Sequence, residues 1–168
     1  MSLTGCQEFV RQALDNLASP QLDPTTAYVS QPNPGSMPTP QVYIWGGRGR
    51  DIRQTAPRGS SVSATAGFRV VEWEFDVWLY VALQAHRPGT DPRYDYGFPL
   101  LLDAVTTALR TLPMPTDFTD PVTGGTTSIL KVAENMTIIQ ATPRTLSPQG
   151  LVRFAAQGIV DLWEQVQA

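Results

Sequence analysis

The chain has 168 residues and a formal charge of −3, with 42% hydrophobic and 16% charged residues. That is enough apolar material for one domain core, and it excludes wholesale disorder and a generic, basic nucleic-acid binder. One cysteine, Cys6, and one histidine, His86, exclude a disulfide framework, a Cys-based zinc site and any multi-histidine metal site.

Residues 4–18 read as an amphipathic helix. Cys6, Phe9, Val10, Ala13, Leu14 and Leu17 form one continuous stripe at helical spacing, which makes Cys6 a small core residue rather than a reactive thiol. Thr4 and Gln7 stand at capping-box spacing, and Pro20 supplies a stop. From 20 to 40 the composition shifts: six of the fifteen prolines lie there (20, 24, 32, 34, 38 and 40) and apolar periodicity disappears. This predicts a stiff, extended connection. Gln41 to Trp45 is a short β-rich run, ended by Gly46-Gly47.

Residues 46–67 read as a long polar loop. It carries Arg48, Arg50, Arg53 and Arg58, opposed only by Asp51, in a chain whose twelve basic residues include a single lysine, Lys131. Arginine favours planar, multi-bonded contacts with carboxylates, so this cluster is either a plain solvated loop or an arm that docks on acidic carboxylates of a neighbouring protein surface. The loop is Gly-rich but lacks the Gly-Lys-Ser/Thr ending of a phosphate loop, and no apolar-periodic helix follows it.

The strongest β signal comes next. Val71, Trp73, Phe75, Val77, Leu79, Val81 and Leu83 alternate with Glu72, Glu74, Asp76, Trp78 and Tyr80, predicting a long strand with one buried face. The carboxylates stand about 7 Å apart along the other face. Such a row is ordinarily a solvated face; a pair flanking a bond in a hydrolase cleft is the catalytic alternative. Trp78 and Tyr80 share that face, where either a loop or another subunit covers them, which makes them candidate subunit-contact aromatics. A second helix begins near Pro99, with Phe98, Leu101, Leu102, Val105, Leu109 and Leu112 as its stripe, and Pro113 stops it. Residues 113–127 read as a second long loop, followed by short strands at 129–133 and 136–141. The segment 151–166 fits both a strand and a helix, so periodicity leaves it open.

No Gly-x-Ser-x-Gly elbow accompanies His86, no EF-hand loop is present, and no run approaches the roughly 20 apolar residues of a membrane span. Met1 to Thr4 lack the basic and apolar regions of a leader, so synthesis in a reducing, intracellular setting is expected. The expectation is a non-enzymatic chain with no catalytic residues, metal or cofactor. The predicted fold is a single α+β domain over 1–168, with a mostly antiparallel sheet of about five strands, two helices on one face and long surface loops.

The order of these elements resembles the tail terminator (tail completion) proteins of long-tailed bacteriophages. The likeness rests on the helix around Phe9-Val10-Arg11-Gln12-Ala13-Leu14, the Pro-led strand at 42–45 and the Trp-bearing strand from Phe68 to Val77. The helix at 100–112 and the terminal segments around Thr137-Ile138-Ile139 and 151–163 complete it. The resemblance implies a structural virion protein at the head-proximal end of the tail, assembled in the host cytoplasm into a ring, hexameric in that family. Such a ring ends tube polymerisation and joins the tail tube protein to the head-closure or neck connector. Double-stranded DNA passes through its lumen without specific binding, and no membrane is involved. It also favours the strand reading of 151–166. Under it, Arg48, Arg50, Arg53 and Arg58 are expected at intersubunit or inter-ring contacts. Glu72, Glu74 and Asp76 are expected to line the lumen, where like charge keeps DNA from sticking, or to lie at an interface. A head-closure or neck subunit is the alternative within the same class; a small hydrolase using the acidic strand is the alternative outside it.

Overall fold

The computed structural model describes residues 3–18, 24–33, 40–53, 68–82, 98–135, 142–145 and 152–167. In chain order these form α1 (Leu3–Leu14), β1 (Thr26–Val29), β2 (Gln41–Arg53), β3 (Phe68–Ala82), α2 (Phe98–Arg110), β4 (Thr116–Thr119), β5 (Thr126–Asn135), β6 (Thr142–Thr145) and β7 (Val152–Gln167). The strands make one seven-stranded sheet in the order β1-β2-β3-β7-β5-β4, with β6 beside β7. Every pairing is antiparallel except β1 with β2. The α+β architecture is thus the expected one, with more strands than the sequence suggests.

Both helices lie on one face of the sheet. Cys6, Phe9, Val10 and Leu14 of α1 and Leu101, Val105 and Leu109 of α2 form one core with Val42, Ile44, Phe75, Val77, Leu79, Ile129, Val160 and Leu162. The period-two row of β3 supplies the centre of that core, and β7 adds a matching row beside it, Val160 against Phe75 and Leu162 against Trp73. α1 packs on β1 at one edge of the sheet, and its Phe9 meets Phe118 of β4, at the other edge, with ring centroids 5.3 Å apart. The sheet therefore curls around α1.

Three expected connections turn out to contain strands. The predicted loop over 46–67 is, as far as Arg53, the second half of β2, a thirteen-residue strand. Gly46 and Gly47 do not end it; with φ of 73° and 153° they form a bulge, two residues opposite Phe75, after which pairing with β3 resumes. Backbone of that shape is open to glycine and strained for other residues, so the breaker signal is a bulge signal here. The side chain of Gln7 donates to the Gly46 carbonyl at 2.7 Å. Gln7 thus ties α1 to the bulge.

The Pro-rich connection holds β1, and its cause lies at the end of α1. Asn16, at φ 60°, turns the chain out of the helix. The Thr25 hydroxyl donates to the Leu14 carbonyl at 2.8 Å and accepts from the Leu17 amide at 2.9 Å. Ala27 N–H then donates to Asp15 Oδ1 at 3.1 Å. These bonds cap the helix and lay the next residues beside β2. The second predicted loop, 113–127, contains β4 and the start of β5, joined by a turn in which Asp120 accepts from the Val122 amide and the Thr123 hydroxyl. The ambiguous terminal segment is a strand, β7, sixteen residues long. The short strand expected at 136–141 lies outside the described residues, as do Arg58 and His86.

Candidate functional site

Because both helices cover one face, the other face of the sheet is left without a helix among the described residues. Its side chains follow from register. One row runs Arg50, Glu72, Trp163, Lys131 across β2, β3, β7 and β5. The next runs Arg48, Glu74, Asp161, and a third Trp45, Asp76, Ile159. Beyond them come Tyr43, Trp78, Gln157 and then Gln41, Tyr80. The open face thus has a charged half and an aromatic half, divided at Asp76.

In the charged half, Glu72, Glu74, Asp76 and Asp161 form a central acidic stripe. Exposed Arg48 and Arg50 flank it on β2, and exposed Lys131 flanks it on β5. Lys131 Nζ sits 4.9 Å from the centroid of the Trp163 ring, a cation–π contact. Gln157 Nε2 donates to Asp76 Oδ1 at 3.1 Å. Arg48 faces Glu74 and Arg50 faces Glu72 across the β2–β3 ladder. Arg53 is at the end of the same strand, opposite Arg69 in register.

The carboxyl of Asp161 is held above the ordinary carboxylate range by partial burial and, after that, by the charges of Glu74 and Glu72. A raised folded-state value means that its contribution to stability is fully present below the unfolded value and is lost as pH rises through the folded one. Asp161→Asn is therefore expected to raise the urea midpoint at about pH 7, with the gain gone at about pH 3. Equal midpoints at the higher pH would mean that neither burial nor the stripe disfavours the Asp161 carboxylate.

The aromatic half has a buried part and an exposed part. Tyr80 is only 8% exposed, and with Tyr43 and half-buried Trp78 it makes a small cluster within the subunit. Tyr43 and Tyr80 meet edge to face at 5.8 Å, and Trp78 stacks on Tyr80 at 6.4 Å. The aromatics that present surface outward are Trp45, 46% exposed, and Tyr28, 39% exposed and stacked on Tyr43 at 5.2 Å.

On the opposite, helix-covered face, a polar cluster stands at one end of the core. Glu164 is fully buried and accepts from Thr127 Oγ1 at 2.8 Å, Trp73 Nε1 at 3.0 Å and Cys6 Sγ at 3.5 Å. Burial, and then Glu164, push the Cys6 thiol far above its usual value, so it is a protonated donor and not a nucleophile. This agrees with the core role read from the helical stripe, although the stripe says nothing of Glu164.

Asp161, Trp163, Gln157, Trp45 and Lys131 were missed by the sequence reading. Once 151–166 is taken as a strand, Asp161 and Trp163 fall at alternate positions on one face, so the signal for them hung on that choice. The register that joins them to Glu72 and Glu74 is not legible in the chain. Among the described residues, no three or more His, Cys, Asp or Glu stand close enough to hold a metal ion, and no helix is long and apolar enough to cross a membrane. Comparison with known proteins finds no family model and no curated protein that matches this chain.

Proposed function

We propose that this chain is a structural virion protein of the tail-terminator kind, a subunit of a homo-oligomeric ring that ends tail-tube polymerisation. The observation that supports the reading best is the two-sided sheet. One face is sealed by both helices, and the other carries an acidic stripe, Glu72, Glu74, Asp76 and Asp161, across two neighbouring strands. Repeated around a ring, such a stripe gives a negative lumen wall that repels the phosphates of passing DNA. The exposed Arg48 and Arg50 lie at one margin of the stripe, where a protein of the adjoining ring supplies carboxylates. The ring itself needs a head-to-tail interface whose rotation closes.

The test adds the purified chain to growing tubes of the tail-tube protein from the same virus and follows tube length. Growth is expected to stop at substoichiometric amounts of chain, one ring per tube end. Unaffected growth with binding to the portal-side connector instead would replace this reading by that of a neck or head-closure subunit.

A further inference from the structure

β1 pairs with β2 only from Gln41 to Ile44. Among the described residues no strand lies along the outer side of β2 beyond that point, although its inner side stays paired with β3 as far as Arg53. From Arg48, where the bulge ends, to Arg53 the strand is regular, and alternate N–H and C=O groups on its outer side point away from β3. Unpaired edges of this kind template added strands.

We propose that this edge of β2 receives an extended acidic segment of a different protein, bound as an additional strand. Charge selects the occupant. Arg48 and Arg50 are exposed, two residues apart, and therefore on one face of the strand. An added strand about 4.8 Å away with carboxylates at alternate positions sets each guanidinium between two carboxylates, its own cross-strand partner (Glu74 or Glu72) and the incoming one. The forked donors of arginine serve both sides at once. Exposed Trp45 precedes the bulge on the same face and offers an apolar anchor at the end of the added strand.

The same charges turn away a second copy of the chain. Pairing β2 with another β2 brings arginine against arginine, and pairing it with β5 brings Lys131 onto the arginine face. The chain's only run of alternate carboxylates is Glu72, Glu74 and Asp76. It lies on β3, which is paired on both sides by β2 and β7. The occupant is therefore foreign, and the inference holds with or without ring assembly.

The experiment uses the full chain, 15N-labelled, and capped octapeptides followed by NMR. The parent peptide alternates glutamate with valine. One control replaces glutamate by lysine, and two others N-methylate one or the other alternating set of amides. The parent is expected to cause saturable shifts at the Trp45 indole and the amides of 48–53. Lysine, N-methylation of one set but not the other, and Arg48→Ser with Arg50→Ser should each weaken binding about tenfold or more. These arginines are exposed, so the double variant keeps its fold, which its own spectrum verifies. Absence of saturable shifts overturns the proposal. So does equal binding by the parent and both N-methylated peptides, since attraction without strand pairing needs no free edge.

Discussion

Glu164→Ala is expected to lower the free energy of unfolding by about 3–5 kcal/mol, read from the urea midpoint and slope. The carboxyl of this residue, on β7, collects a hydrogen bond from each of α1, β3 and β5 through Cys6, Trp73 and Thr127. Removing it takes the acceptor from the Trp73 N–H and the buried Thr127 hydroxyl. The cost thus combines lost bonds with donors left unpaired. Glu164→Gln keeps the volume and one acceptor oxygen, so its loss should be clearly smaller. If the alanine variant unfolds within about 0.5 kcal/mol of the parent, the cluster does not hold these four elements together.

Gly49→Val is expected to cost about 2 kcal/mol and to lower Tm by about 4–8 °C. Gly49 lies opposite Trp73 in the β2–β3 ladder, and a Cβ there would stand 2.6 Å from the Trp73 ring. The ring has little freedom to retreat, because its Nε1 is tied to Glu164 on the far side at 3.0 Å. The bulky residue therefore pushes against a side chain fixed in two places. Gly125→Ala is the control, since a Cβ there meets only Thr123 Oγ1, at 3.5 Å; its effect should stay below about 0.5 kcal/mol. Equal effects of the two substitutions would mean that Trp73 moves freely.

These two sites show where the sequence was readable and where it was not. The β3 row from Trp73 to Leu79 declares itself because alternation over many residues has one physical explanation, a strand with one dry face. β7 has the same design, yet a buried glutamate interrupts its apolar row after Val160 and Leu162. The strand stays hidden because Leu151, Phe154, Ala155, Ile159, Leu162 and Val166 also fall at helical spacing. Gly46-Gly47 looks like a terminator because glycine marks both strand ends and bulges, and only the pairing partner tells them apart. β1 is invisible for a different reason. Four residues amid prolines carry little local preference, and the strand is laid down by the capping bonds of Thr25 and Asp15.

The candidate face was legible in halves. Glu72, Glu74 and Asp76 share a face by strand periodicity alone, and the arginines stand out by composition. What links them is register: the bulge places Arg48 and Arg50 opposite Glu74 and Glu72, and β7 brings Asp161 up on the other side. Long-range pairing of this kind is set by the whole sheet and not by any local run. The separation of Tyr80, buried, from Trp45, exposed, likewise depends on what covers each ring. The two have the same polarity pattern in the chain.

The central claim, that the chain closes the end of a tail tube as a ring, is tested most directly by imaging the ends of tubes grown in its presence. Averaged images are expected to show one added ring at one end, with rotational symmetry, the helices outward and the Glu72–Asp161 face toward the channel. Tube ends without added density, or a ring whose helices line the channel, would contradict the account.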